Sequence, residues 1–533
     1  MAGVAQQTVS LVERGKADGS TLRTTEKSHG DRSMARSGAR RLARVVGGRK
    51  GVSAERPHGA PGSYPGDLGR PPYNPDMNDA DRKRAGASST GRVFQRVLGV
   101  ELPVAARAEG STIWDEQGRA YLDAAGGAVV VNVGHGRQSI VDAMERQARA
   151  FTYVHGTTFT NEPLETYARA VGRYLPVDDP AIYPVSGGSE AIESCLKLVR
   201  SYHLARSEPD RTVVIARWGS YHGNSMGALD LSGREPLRRP YEPWLGRFRH
   251  VSAAYPYRAG EPAAHALGDT GELVAELEAA IAEAGQGRVA AFVAEPIVGA
   301  TLGAVAPPDG YWAAIAEVCR RHGVLLVADE VMTGFGRTGR WFGLDHWGVR
   351  ADIVAAAKGV AGGYFPLGLA VASGTVYDTI TTGGGFVHGF TYSHSPVGAA
   401  VASEVLRILE TENLVEASAE KGGRLLALVS DRIGGHPNVG EIRGRGLLVG
   451  VELVADRATR RPFPRAARLI ESVMAHARDA GLLLYHGTGN ADGTNGDTVL
   501  LGPPFVVTCD ELETIADRLG EAVERAAVGV ASS

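Results

Sequence analysis

Two residues that close apolar runs could together do carbonyl chemistry. Asp329 ends Val324-Leu-Leu-Val-Ala-Asp329, and Lys358 ends Ile353-Val-Ala-Ala-Ala-Lys358. A lysine amine forms an imine with an aldehyde, and a carboxylate beside a pyridine nitrogen keeps that nitrogen protonated, so that the ring acts as an electron sink. Pyridoxal phosphate (PLP) is the cofactor that asks for both groups. Most lysines are solvated surface charges, but five small apolar residues precede this one. Burial lowers a lysine pKa, which leaves part of the amine neutral and nucleophilic. Ser186-Gly187-Gly188-Ser189-Glu190-Ala191 reads as a glycine turn opening a helix, where backbone N–H groups and the positive helix end suit a phosphate. Alone that signal is weak, since any helix cap looks similar. Tyr221, in Tyr221-His222-Gly223, offers an aromatic face for the ring, with a core tyrosine as the plainer reading.

The elements that must position these groups follow from periodicity. Residues 112–123 read as two short strands around a turn at Gly118. From Ile140 onward, helical patterns alternate with β-rich runs at 212–216, 289–295, 324–329, 353–357 and 369–373. Alternation of this kind predicts an α/β fold, a mainly parallel sheet sandwiched by helices. Ligands in such sheets gather at the carboxyl ends of strands, where Glu295, Asp329 and Lys358 all fall. The C-terminal part differs: a helix at 397–410, a strand-like run at 446–453, a helix at 466–480, a second β-rich run at 498–501 and a helix at 510–527. It predicts a smaller α+β domain over residues 396–530, joined by residues 95–139, with the large domain over 140–395.

Composition sets the outer limits. A chain of 533 residues with 43% hydrophobic content can bury a large core. A formal net charge of −3 points to neither nucleic acid nor an anionic membrane as partner. Cys195, Cys319 and Cys509 form no disulfide framework, so a reducing cytoplasm is the expected location. No apolar run has the length of a transmembrane helix. Residues 1–76 carry 13 Lys/Arg against 7 Asp/Glu. With the Pro/Gly-rich stretch from Pro57 to Pro75, residues 1–90 read as a disordered basic tail. An Arg-rich transit peptide and a true start at Met34 or Met77 are the alternatives.

Taken together and in this order, the runs resemble the class III aminotransferases, PLP enzymes of fold type I. The resemblance covers residues 95–525 and is most specific in Ala328-Asp329-Glu330-Val331-Met332-Thr333-Gly334-Phe335-Gly336-Arg337-Thr338-Gly339 and in Lys358-Gly359-Val360-Ala361-Gly362-Gly363-Tyr364. It implies that Lys358 forms the imine, that Asp329 pairs with the pyridinium, and that Val331 packs beneath the ring. It further implies that Gly187, Gly188 and Ser189 cradle the phosphate, that Tyr221 stacks on the ring, and that Glu295 lies near its phenolic oxygen. Family members usually show Ser–Gly–Ser or Ser–Gly–Thr where this chain has Gly187-Gly188-Ser189, a change that leaves the backbone donors in place. Thr391, in Phe390-Thr391-Tyr392, matches a threonine that reaches the phosphate of a neighbouring subunit, which implies a homodimer with shared active sites. Glu193, Lys197, Arg443 and Arg445 are expected to be structural or surface residues.

The activity so implied is transfer of an amino group from an amine donor to an oxo acid such as pyruvate or 2-oxoglutarate, in ping-pong order. Decarboxylases, aminomutases and racemases share the same cofactor site, and a non-catalytic PLP-fold protein that binds a partner is the distant alternative. One departure bears on the donor. Members that bind an α-carboxylate in the ornithine or 4-aminobutyrate manner carry an arginine just before the segment seen here as Gly502-Pro503-Pro504-Phe505. Leu500 stands at that place, and leucine makes no charge-assisted pair with a carboxylate. The expected donor is therefore an ω-amino acid, a diamine or a natural-product amine.

Overall fold

The computed structural model describes residues 93, 94, 96, 101–261 and 264–531, so the expected tail at residues 1–90 lies outside the described residues. The first strands among the described residues are β1 (Ala105–Glu109), β2 (Thr112–Asp115) and β3 (Ala120–Asp123), paired antiparallel in that order. Seven strands then build the central sheet. They are β4 (Ala181–Val185), β5 (Val213–Arg217), β6 (Arg249–Val251), β9 (Val289–Ala294), β10 (Leu325–Asp329), β11 (Ile353–Ala356) and β12 (Gly368–Ala372), with a separate small ladder of β7 (Ala253–Ala254) and β8 (Ala266–Leu267) between β6 and β9. Their spatial order is β4-β12-β11-β10-β9-β5-β6. Six strands run the same way and β12 alone is reversed. Every residue of β9, β10, β11 and β12 is buried, which is why their sequences read as continuous apolar runs rather than alternating ones.

Two strands of this sheet have weak signatures. β4 contains Pro184, which cannot donate to a ladder and is tolerated because β4 is an edge strand with β12 as its neighbour. β6 is only three residues long. Two helices that flank the site begin at capping side chains. Asn161 accepts from Leu164 N–H at 3.0 Å to start Glu162–Gly172, and Ser395 accepts from Gly398 N–H at 3.1 Å to start Pro396–Thr411, with Pro396 in the first turn.

The C-terminal sheet pairs β13 (Val439–Arg445), β14 (Leu448–Leu453), β17 (Asp497–Leu501) and β16 (Tyr485–Thr488) antiparallel, in the order β13-β14-β17-β16. The sequence run at 446–453 thus holds a hairpin turn and β14, while its partner β13 has too little apolar character to be read. β15 (Leu482–Leu483) pairs parallel with β3, Leu482 opposite Leu122, and ties the first strands of the chain to its last third. Among the described residues no helix is long and apolar enough to cross a membrane.

One packing point is unusually close. Gly446, at φ +54, turns the β13–β14 hairpin directly under Gly422 of the helix Leu414–Ile433. A methyl group at Gly422 would overlap the Gly446 carbonyl, and one at Gly446 would overlap the Thr338–Gly339 peptide. Three segments meet where no side chain fits. Gly422→Ala should therefore cost about 1–3 kcal/mol by overpacking despite its better helix propensity. A thermal melt that is unchanged or raised in that variant would contradict this contact.

Candidate active site

The carboxyl ends of β9, β10 and β11 converge on one cavity of about 400 Å³. Glu295 follows β9, Asp329 ends β10, and Lys358 comes two residues after β11. Parallel pairing sets Asp329 opposite Ala355, which brings Lys358 alongside the same strand end. Gly187, Gly188, Ser189, Tyr221 and Val331 line the cavity with them, and Phe365, Pro366 and Leu367 form part of its wall.

Lys358 sits at φ +44, a left-handed conformation rare for a side-chain-bearing residue. Its carbonyl accepts from Gly362 N–H at 3.0 Å, closing the turn. Asn132 fixes the turn from the far side, donating to the Gly359 carbonyl at 3.0 Å and to the Phe335 carbonyl at 3.4 Å. Burial lowers the Lys358 pKa to about 8, while Asp329 and Glu295 pull it up and Arg337 adds to the depression. The amine is therefore neutral for a substantial part of the time near physiological pH.

Asp329 is buried and doubly held. One oxygen accepts from Val331 N–H at 3.0 Å and the other lies 2.7 Å from His222 Nδ1. His222 Nε2 is buried without a hydrogen-bond partner among the described residues. Glu295 uses its carboxylate to pin backbone, accepting from Tyr221 N–H at 2.9 Å and Gly299 N–H at 3.2 Å, and burial raises its pKa. Tyr221 is thereby positioned by Glu295, and its phenol pKa is raised by burial.

Gly188 opens the long helix Gly188–Ala205, with Gly187 as its cap. The first amides of a helix have no intrahelical acceptor, so they are available to an anion. A Cβ on Gly188 would lie 3.1 Å from Val331 and crowd the cavity floor. Ser189 Oγ accepts from Asn224 N–H at 3.1 Å, and Glu190 reaches back to Ser186 N–H at 2.7 Å. This cradle, a buried carboxylate and a buried amine can hold a molecule with a phosphate, a basic ring nitrogen and an aldehyde.

Thr391 is not in the cavity. It lies exposed on the loop before the helix Pro396–Thr411. Glu193 corrects the surface reading: its carboxylate accepts from Gly227 and Ala228 N–H at 2.9 and 3.2 Å and caps the helix Met226–Leu231, whereas Lys197 is exposed as expected. Arg443 is structural, donating to Glu441, Glu452, Tyr255 and the carbonyls of Leu302 and Gly303. Arg445 lies over the Trp347 ring. Three residues were not assigned a role from sequence. His222 follows Tyr221, Asn132 interrupts an apolar run, and Arg337 lies within the specific stretch after Asp329. Arg337 is buried and donates to the carbonyls of Val131, Leu447 and Pro503 at 2.7–2.9 Å, so it clamps three segments. Leu500 is buried in an apolar cluster with Ala300 and Met332, which also line the cavity.

The family model for class-III aminotransferases matches residues 97–523. The chain is 37% identical over 416 residues to the putrescine–pyruvate aminotransferase of Pseudomonas aeruginosa, covering 77% of this chain and 88% of that protein. It is 34% identical over 425 residues to the taurine–pyruvate aminotransferase of Rhodobacter capsulatus, covering 78% and 90%. The solved structure of an (S)-enantioselective omega-transaminase from Thermomicrobium roseum superposes with a TM-score of 0.75 at 36% identity, covering 85% of this chain and 99% of that one.

The buried amine sets a pH dependence. The rate at which Lys358 adds to an aromatic aldehyde should rise through a midpoint of about 8 and level off above it, because only the neutral amine attacks. Asp329 holds the proton on, so Asp329→Asn should move the midpoint to lower pH. Stopped-flow absorbance across pH reads both, and a midpoint near that of free lysine would contradict the burial argument.

Proposed function

The chain belongs to the class III aminotransferases, and from that membership we propose that it moves an amino group from an amine whose reacting carbon bears no carboxylate to an oxo acid such as pyruvate or 2-oxoglutarate, with PLP held on Lys358. The observation that carries this reading is the meeting of Lys358, Asp329 and the Gly187-Gly188-Ser189 helix start in one cavity. These residues fit PLP. Gly188 leaves room that a Cβ would fill, and the helix start supplies amides for a phosphate. When bound, PLP supplies an aldehyde to join to an amine and a protonated ring that withdraws electrons from the attached carbon.

The chain's own residues do the rest. Asp329, fixed by Val331 N–H and His222, presents a carboxylate that keeps a ring nitrogen protonated. Lys358 Nζ, with a pKa near 8, would take the proton from the donor carbon and, in the second half of the exchange, supply the proton that the acceptor carbon gains. Tyr221 offers its ring as a stacking face, held by the Glu295 carboxylate through its own N–H. Val331 packs from below, and the apolar wall of Ala300, Met332 and Phe365 keeps water away from the reacting carbon.

The donor class rests on Leu500. It is 1% exposed and sits among Val129, Ile297, Ala300 and Met332, so no carboxylate is received there. The names of two relatives are in line with this: putrescine is a diamine and taurine an aminosulfonate, and neither carries a carboxylate on the carbon that bears the amine. We also propose a homodimer. Thr391 is exposed on a loop with Val387 and Tyr392, which are 93% and 74% exposed. An apolar surface of that kind is suited to a partner subunit.

An absorbance titration tests the chemistry. The protein as purified should be yellow and lose its visible band on adding a donor amine, and Lys358→Ala should retain the fold with turnover lower by at least about a thousandfold. Normal turnover in that variant would sink the assignment. A panel of donors against pyruvate and 2-oxoglutarate tests the substrate class, with diamines and ω-amino acids expected to exceed α-amino acids. Glutamate as the best donor by a wide margin would overturn the donor class and leave the chemistry standing. Sedimentation velocity should show a dimer or a higher even assembly at working concentration, and a fully active monomer would refute the shared site.

A further inference from the structure

β5 ends on an arginine that its own pattern does not call for. Alternate residues of a strand share a face, and Ile215 belongs to the same core cluster as Phe292, Ala294, Tyr311 and Trp312. Arg217 falls on that face, 1% exposed, where an apolar side chain is expected. Its donors go to neutral groups, the Glu295 carbonyl at 2.5 Å and the Tyr311 hydroxyl at 3.4 Å. Its Nε is buried with no hydrogen-bond partner among the described residues. The guanidinium carbon lies 5.6 and 5.8 Å from the centroids of the Tyr311 and Trp312 rings, within reach of their negative faces. Arg258 and Arg443, by contrast, share the buried carboxylate of Glu452. Taking a cation out of water without an anion is unfavourable, and an apolar residue would fill this place with less desolvation. Stability alone does not account for Arg217.

What it holds is the bend by which the chain leaves β9. Arg217 grips the Glu295 carbonyl, and the Trp312 indole N–H donates to the next one, that of Pro296, at 3.2 Å. From this bend the Glu295 carboxylate reaches Tyr221 N–H with one oxygen and Gly299 N–H with the other. The chain then continues into Ala300 of the cavity wall. Tyr221 itself comes four residues after Arg217, and the turn between them is closed by the Ser220 hydroxyl, which donates to the Arg217 carbonyl at 2.8 Å. The contacts make a ring. Arg217 holds the Glu295 backbone, the Glu295 carboxylate holds the Tyr221 backbone, and Ser220 ties that segment back to Arg217.

We infer that Arg217 is a positioning residue: it fixes the Glu295 backbone so that the carboxylate holds Tyr221 at the cavity, as a face for the cofactor ring. This rests on the aminotransferase reading and adds to it a group that lies outside the cavity. Because Arg217 donates to the carbonyl and not to the carboxylate, both carboxylate oxygens remain for Tyr221 and Gly299. A planar guanidinium set between a carbonyl and two rings has few orientations, so it fixes direction as well as distance.

The test is a double-mutant cycle on PLP affinity, read by quenching of protein fluorescence as the cofactor is removed and added back. In an otherwise wild-type chain, Arg217→Met should weaken PLP binding by roughly tenfold, the size of one lost hydrogen bond from a charged donor. Arg217→Lys keeps the charge but offers a point in place of the fork, and should lose roughly threefold. In a Tyr221→Ala background, both changes should shift the affinity by less than about twofold, because the group they act through is gone. Equal losses with and without Tyr221, or no loss in either variant, overturn the assignment. If Arg217→Met does not fold, Arg217→Lys decides by the same cycle. Failure of both to fold also overturns it, since the arginine would then hold the core rather than the ring. A wild type that binds no PLP removes the aminotransferase reading itself, and this inference with it.

Discussion

The site depends on one register: β10 and β11 lie parallel with Asp329 opposite Ala355. A slip of one residue would turn Asp329 to the other face of the sheet and separate it from the lysine. The chain then leaves β11 and reverses at Lys358 in a left-handed conformation, a local cost that the surroundings over-determine. Asn132 bonds to the carbonyls on both sides of that junction, Gly359 and Phe335, and so couples the lysine turn to the stretch after Asp329. Burial pushes the amine toward its neutral form, the two carboxylates oppose that, and the pKa is lowered to about 8. Desolvation and charge are set against each other, and the balance gives a group that can both accept and release a proton.

Much of this was legible because chemistry-bearing residues close apolar runs. β9, β10 and β11 are buried on both faces, so a polar residue can appear only where the strand ends. Glu295, Asp329 and Lys358 mark three such ends, and one cavity joins them. What stayed illegible depends on distant partners. β4 looked broken by Pro184, and only its edge position makes it a strand. His222 is informative once Asp329 is seen 2.7 Å away. Asn132 and Arg337 act on carbonyls two hundred or more residues distant along the chain, at separations of 227 and 206.

The buried arginines hold the fold together through partners drawn from distant segments. Arg258 and Arg443 share the fully buried Glu452, and Tyr255 and Asn490 complete that network between β14 and the loop at 255–258. Breaking such a network on one side leaves an uncompensated charge, which makes its members costly to change. It also seats the C-terminal sheet, whose Leu500 and Tyr485 pack behind the cavity wall. The position of the cavity wall is thus tied to a charge cluster that lies outside the cavity.

The reversed strand has a consequence for synthesis. β4 leads straight into the glycine cradle, yet its single neighbour is β12, about 180 residues later in the chain, and pairing over that span is a slow, late event. A growing polypeptide carries the cradle long before anything exists to pin it. Until Gly368–Ala372 has emerged, the helix from Gly188 has no finished sheet edge beneath its start. The anion cradle and the lysine, far apart in order of translation, can therefore mature only together.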